Sequence, residues 1–263
     1  MDWTHVFDMH SHLGYLRGRE YTVWEALRRM DRNHIARAVI CHFVTGLFTR
    51  EDFVRANDYV LGAVRAAPDR FVGLCTMTPA FGAWAVEEFR RYLSAGLSGL
   101  KLHPERHGLY SLTSAAMEPL MREVESASAF VFVHSDFHSK VCSPYDVVEM
   151  AAMFPGAKVL LGHFGLDPDL CGKIPALVAG TPNVYLDTSQ TVDCPEAIFV
   201  QPARVLGIGR VLFGSDAPVM SPEVNLRKLE VAVEEFGLPV TDAQAIAWES
   251  AAALLKGAPN VRM

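Results

Sequence analysis

With 263 residues, half of them hydrophobic, and a net charge of −6, the chain can fill a core in one large α/β domain or two small ones, and no block of Lys or Arg points to a nucleic-acid or acidic-membrane partner. The five cysteines (Cys41, Cys75, Cys142, Cys171 and Cys194) are scattered, with no Cys-x-x-Cys, which argues against a disulfide framework or a cysteine zinc site and suits a reducing compartment. No signal peptide is visible and no apolar run approaches the ~20 residues that span a bilayer, so a soluble, cytoplasmic protein without a membrane partner is expected.

Val6–Gly14 reads Val-Phe-Asp-Met-His-Ser-His-Leu-Gly, an apolar strand that ends in His10 and His12 where a glycine lets the chain turn. Residues i and i+2 of a strand share a face, so the two imidazoles project side by side. Such a pair forms one edge of a metal site, and it also suits two polar residues at a strand end. Thr22-Val-Trp-Glu25 is a capping box that opens a helix to about Asn33, followed by a second strand, Arg37–His42. Glu51–Ala67 has helical period and stops before Pro68, as the residue before a proline disfavours helix. Phe71–Met77 is the third strand, Ala83–Ala95 a helix, and Gly99–His103 the fourth strand. Met117–Ser128 reads as helix and Phe130–His134 as the fifth strand; Ser143-Pro-Tyr-Asp146 then caps another helix, with Pro at its first position. Lys158–His163 is the sixth strand, Val184–Asp187 the seventh and Arg210–Asp216 the eighth, with a helix near Pro195–Leu206 before the last. Ser221-Pro-Glu and Thr241-Asp-Ala-Gln244 begin the final helices.

Eight short apolar strands thus alternate with helices, and no composition shift or long linker marks a boundary. Alternation implies a parallel sheet with right-handed crossovers, and this number of units predicts one closed (β/α)8 TIM barrel over residues 1–263. An open doubly wound sheet has a similar rhythm. Against it stand the lack of Gly-x-Gly-x-x-Gly after the first strand and the polar residues recurring at strand ends.

Catalytic groups of such barrels lie at the C-terminal mouth. Those strand ends carry His10, His12, His42, Lys101, His103, His134, His163 and Asp216. Any one histidine there is commonly a satisfied polar residue. In a closed barrel, however, the ends converge, and three histidines with one carboxylate and an open position describe a catalytic metal site. Asp8 suits either a group that orients a ligand or a core acceptor. Arg17, Arg19, Arg106, His107, His138 and Lys140 fall on loops above the mouth, where some could bind an anionic substrate while the others remain solvated.

Asp8-Met-His10-Ser-His12, Gly99-Leu-Lys101-Leu-His103-Pro, Val-His134, Gly-His163-Phe-Gly, Val-Tyr-Leu-Asp187-Thr-Ser and Phe-Gly-Ser-Asp216-Ala-Pro together resemble the amidohydrolase superfamily, in its compact amidohydrolase-2 branch. The resemblance covers nearly the whole chain and implies a divalent metal, usually zinc. It makes His10, His12, His134 and Asp216 metal ligands and His163 and Asp216 the catalytic pair. It also allows a second metal bridged by carbamylated Lys101, with His103 and His163 nearby, although Lys101 equally suits an unmodified lysine that contacts substrate. One zinc ion is the first choice; two ions, or another divalent metal, stay open.

The leading expectation is therefore a metal-dependent hydrolase of a small amide, ester or lactone. The alternative is a zinc decarboxylase of an unsaturated or aromatic acid, since the branch contains both; the compact length tilts the choice toward hydrolysis. An inactive metal-binding scaffold ranks last, because a structural site gains nothing from an open position. The expected partner is a small-molecule substrate; a homo-oligomer is compatible with all three. Arg17, Arg106 and His138 are the candidate substrate-binding residues.

Overall fold

A computed structural model describes residue 3 and residues 5–16, 18–43, 49–190 and 194–262. Its centre is one sheet of nine strands: β1 (Val6–Leu16), β2 (Arg19–Tyr21), β3 (Ile35–His42), β4 (Phe71–Thr76), β5 (Gly99–Leu102), β6 (Phe130–Val133), β7 (Lys158–Leu161), β8 (Val184–Asp187) and β9 (Val211–Leu212). Except for the antiparallel hairpin β1–β2, every neighbouring pair is parallel, and with β2 outside β1 the strands run in the order β1, β3 and on to β9. The sheet is curled, and backbone bonds link β1 to the segment after β9. Backbone amides of Met9, Asp216 and His12 donate to the carbonyls of Phe213, His10 and Ala217 at 2.8, 2.7 and 2.7 Å.

Helices separate the parallel strands, as the sequence rhythm implies: α1 (Val23–Arg32), α2 (Arg50–Ala66), α3 (Ala83–Ala95), α4 (Glu118–Ser126), α5 (Pro144–Met153), α6 (Ile174–Val178), α7 (Gln201–Leu206) and α8 (Pro222–Glu234). Two further short ones, α9 (Val240–Gln244) and α10 (Ser250–Leu255), finish the chain. The capping boxes at Thr22–Glu25 and Ser143–Asp146 form as expected, so those helix starts are dictated locally: a side-chain oxygen satisfies an amide that has no partner within the helix.

Side-chain alternation sorts the core into two layers. Val131, Val133, Val159, Leu161, Val184 and Leu186 pack outward with helix residues such as Leu120, Met121, Val147 and Met150. The intervening Phe130, Phe132 and Leu160 join Phe7, Met9, Val39, Val72 and Leu212 in an inner cluster, against Leu254 and Leu255 of α10. Strands apolar on both faces are what a parallel sheet covered by helices requires.

Two local readings of the sequence need correction. The first strand does not end at His12; it runs through Gly14 to Leu16 and folds back as β2. A Cβ at Gly14, whose φ is +90°, would fall 2.0 Å from His42 Nε2, so glycine there admits the His42 ring instead of ending the strand. The second concerns facing along β1, whose register with β3 slips between Asp8 and Ser11. Phe7 and Met9 therefore occupy the inner cluster below the slip, while His10, above it, lies against the inner Phe132 ring at 4.1 Å. Bulges of this kind re-aim side chains beside active sites.

Candidate metal centre and active site

Three donor atoms meet where β1 faces the segment after β9. His10 Nε2 and His12 Nε2 are 3.1 Å apart, and Asp216 Oδ1 lies 3.4 Å from the first and 2.9 Å from the second. Tetrahedral zinc with ligands at about 2.0–2.1 Å separates its donors by roughly 3.3 Å. The residues fit a divalent ion.

The other nitrogens are spoken for. His10 Nδ1 lies 3.1 Å from Asp187 Oδ2 and 3.0 Å from Ser189 Oγ, a contact that places the proton on Nδ1 and the lone pair on Nε2. His12 Nδ1 lies 3.2 Å from Cys41 Sγ, and the ring stacks on Phe43. Asp216 Oδ2 accepts from Gln190 Nε2, which leaves Oδ1 for the histidines. Asp8 bonds backbone instead of imidazole: its carboxylate accepts from the amides of His10 and Ser215 and from the Ser215 hydroxyl, and so ties β1 to the last strand segment. Burial, partly opposed by these bonds, pushes it up to about 7.

Electrostatics keep most of the cluster in ligand form. Burial, reinforced by Lys101, holds His10 well below the ordinary imidazole range. Burial and the neighbouring His10 take His163 down to about 3. Burial alone would raise Asp216, but His10 and His12 outweigh it and hold the carboxyl well below its usual range. His12 is the exception. Burial opposes its charge, yet Cys41 and Asp216 raise it to about 9. A negative environment that retains a proton there is equally available to a metal cation.

His12 and Asp216 line a cavity of about 530 Å³ together with Lys101, His103, Arg106, His107, His134, His163 and Gln190, and the buried His10 meets them from outside that lining. Lys101 Nζ reaches 3.3 Å from His10 Nε2 and sits 3.9 Å from the Phe132 ring centre; burial lowers its pKa. His163 enters through a left-handed backbone, φ 62°, with Nδ1 2.9 Å from Ser189 Oγ. Gln190 and Asp216 also have positive φ. Residues other than glycine adopt this conformation only when their surroundings hold them there, commonly at functional sites.

The amidohydrolase family model (Amidohydro_2) matches residues 7–257. This chain belongs to the amidohydrolase family. Members of this family are enzymes, both hydrolases and decarboxylases, and this amidohydrolase is an enzyme. No curated protein matches its sequence. Among solved structures, 5-carboxyvanillate decarboxylase from Sphingomonas paucimobilis is similar at 18% identity and TM-score 0.73, with 96% of this chain and 99% of that one covered. A probable 2-pyrone-4,6-dicarboxylic acid hydrolase from Acinetobacter baumannii, with citric acid bound, gives 18% identity and TM-score 0.70, with 95% and 99% covered. 5-Carboxyvanillate decarboxylase from Novosphingobium aromaticivorans, complexed with manganese and 4-hydroxy-3-methoxy-5-nitrobenzoic acid, gives 18% and 0.72, with 88% and 79% covered. At such identities the likeness is one of fold.

The amidohydrolase structure brings His10, His12 and Asp216 into one cluster. It places His134 in the same cavity but outside that triangle, with its ring stacked on His103 at 3.8 Å and 5.0 Å from that of His163. Lys101, His103, His163 and Arg106 line the cavity. His138 is not among its lining residues: it is exposed, and its Nε2 lies 2.7 Å from Asp167 Oδ2, because the loop after β6 carries it sideways onto the loop after β7. Arg17 lies outside the described residues. Sequence reasoning passed over Gln190 and Cys41 as site residues and quoted Asp187 and Ser189 only within a motif. Asp187 ends β8 as Asp216 follows β9, so its strand-end position was the available signal; Gln190 carried none.

Proposed function

We propose that this amidohydrolase is a metal-dependent hydrolase of a small carbonyl compound bearing a carboxylate, an ester or lactone before an amide. The observation that carries the reading is the donor triangle of His10, His12 and Asp216. Two of its members, His12 and Asp216, line a cavity whose other charged lining groups are Lys101 and Arg106. One ion is favoured, and zinc is the metal of choice because imidazole and carboxylate suit it; manganese in a similar structure supports a divalent ion in general. His134, which lines the same cavity, would complete the ligand set. The reading includes a closed (β/α)8 barrel as a single domain over residues 1–263, with its site at the C-terminal mouth. The backbone bonds that join β1 to the segment after β9 support it. A cytoplasmic location fits the free cysteines, and among the described residues no helix is long and apolar enough to cross a membrane.

A bound divalent ion supplies a polarised carbonyl and a water acidified toward ~7. Asp216 takes the proton from the attacking water and hands it to the leaving oxygen. Ser189, whose own proton goes to Asp187, accepts from His163 Nδ1 and so positions that ring to orient the carbonyl. Lys101 and Arg106 hold the substrate carboxylate and so orient the carbonyl over the donor triangle. Gln190 steadies Asp216 through its second oxygen.

Decarboxylation of an unsaturated or aromatic acid is the second reading. It draws on the similarity to 5-carboxyvanillate decarboxylase and on Phe43 in the cavity wall, which offers an aromatic face; there the Asp216–His163 pair would protonate carbon. A panel of carboxylated esters and lactones, run beside aromatic and unsaturated acids, separates the two. Hydrolysis that is lost with chelator and restored by zinc is expected. Release of CO2 without ester or lactone cleavage would reverse the order.

A further inference from the structure

We propose that Glu105, His134 and Cys142 form a second divalent-cation site, of the zinc and cobalt class, on the rim of the cavity between the loops that follow β5 and β6. Their ligand atoms all lie within 4.8 Å of one another. The three side chains grade from exposed Glu105 through half-buried His134 to buried Cys142, so an ion can enter from solvent and meet a soft donor at the inner end. A thiolate, an imidazole and a carboxylate are the donors that zinc selects, whereas magnesium and calcium prefer oxygen alone.

Burial pushes the Cys142 thiol up to about 12, so an ion must displace its proton, and two neighbouring groups ease that step. Ser139 Oγ accepts the amide protons of Val141 and Cys142 at 3.2 and 3.1 Å and the Cys142 thiol across 3.2 Å; once an ion takes the place of the thiol proton, the Ser139 hydroxyl can donate to the sulfur in return. The Glu105 backbone amide donates to the same sulfur. Two donors converging on one buried sulfur support a thiolate that binds metal. The site does not involve Lys101, and so differs from a carbamate-bridged pair. A neutral imidazole has one lone pair, so where His134 serves this site the first centre keeps His10, His12 and Asp216 as its protein ligands, and neither site depends on the other being filled.

Cobalt(II) titration of the metal-depleted full-length protein tests it, because thiolate ligation produces a near-ultraviolet charge-transfer absorption that the His10–His12–Asp216 triangle cannot. The wild type should develop this band and bind a second ion beyond the first. Cys142→Ser should lose the band and the second ion while still binding the first. Glu105→Gln, at an exposed position that leaves packing intact, should keep the band but weaken binding at that site about tenfold or more, on the scale of losing a supporting metal contact. Cys41→Ser should keep the band, and His10→Ala should lose an ion and keep it. Absence of the band at saturating cobalt, its survival in Cys142→Ser, its loss in Cys41→Ser, or unchanged affinity in Glu105→Gln would overturn the proposal. Full metal content in His10→Ala with the band intact would instead count against the first centre alone.

Discussion

Asp187 and His10 are joined behind the donor triangle, with Oδ2 3.1 Å from Nδ1 and both side chains buried. The same carboxylate accepts the Ser189 hydroxyl and the His163 backbone amide, so one acid orients two of the histidines in the site. Removing a group that orients a ligand typically costs 10–100-fold in metal affinity or activity. Asp187→Asn should therefore weaken metal binding by about that factor, because the amide can no longer hold the His10 proton on Nδ1. Competitive metal titration measures it; native affinity would show that His10 is oriented by packing alone.

Gly214 allows this arrangement. A Cβ there would lie 1.9 Å from Asp187 Oδ1 and 3.2 Å from His10 Cβ. Gly214→Ala should displace the carboxylate and destabilise the fold by about 1–3 kcal/mol, the usual range for overfilling a packed interior. Urea denaturation and elemental analysis together check this, and a variant with native stability and metal content would contradict it.

His10→Ala and His12→Ala should each abolish activity and lower metal content while the protein stays folded. Although His10 touches Phe132 and His12 stacks on Phe43, neither imidazole belongs to the apolar layers on which stability rests. Circular dichroism and elemental analysis of the same samples decide the matter. Full occupancy in the double variant would end the ligand assignment.

Asp216→Asn separates binding from proton transfer. The asparagine keeps an oxygen to face His10 and His12 but loses the charge and the basic site. Activity should fall by a factor on the order of 10² or more, as expected for a positioned base, while much of the metal and most of the stability remain. If saturating zinc restores a near-native rate, Asp216 only holds the ion and His163 carries the proton.

The elements were largely legible in the sequence because they rest on local rules. The short apolar run Phe130–Val133, the Thr22 and Ser143 caps, and the polar residues at strand ends each follow from a few neighbouring residues. The resemblance of several short motifs in fixed order pointed to the family that the match over residues 7–257 establishes. Tertiary structure decided the rest. The slip in β1 shifts facing by one residue, and a slip is set by pairing with β3, which period alone does not reveal. His163 reaches the cavity through a left-handed turn that its surroundings impose. His134 groups with Glu105 and Cys142, and His138 turns to Asp167, because loop paths depend on contacts between segments far apart in the chain. The sequence by itself determined which residues could bind a metal; only the folded chain decided which of their atoms face one another, since that depends on curling the sheet until β1 meets the segment after β9.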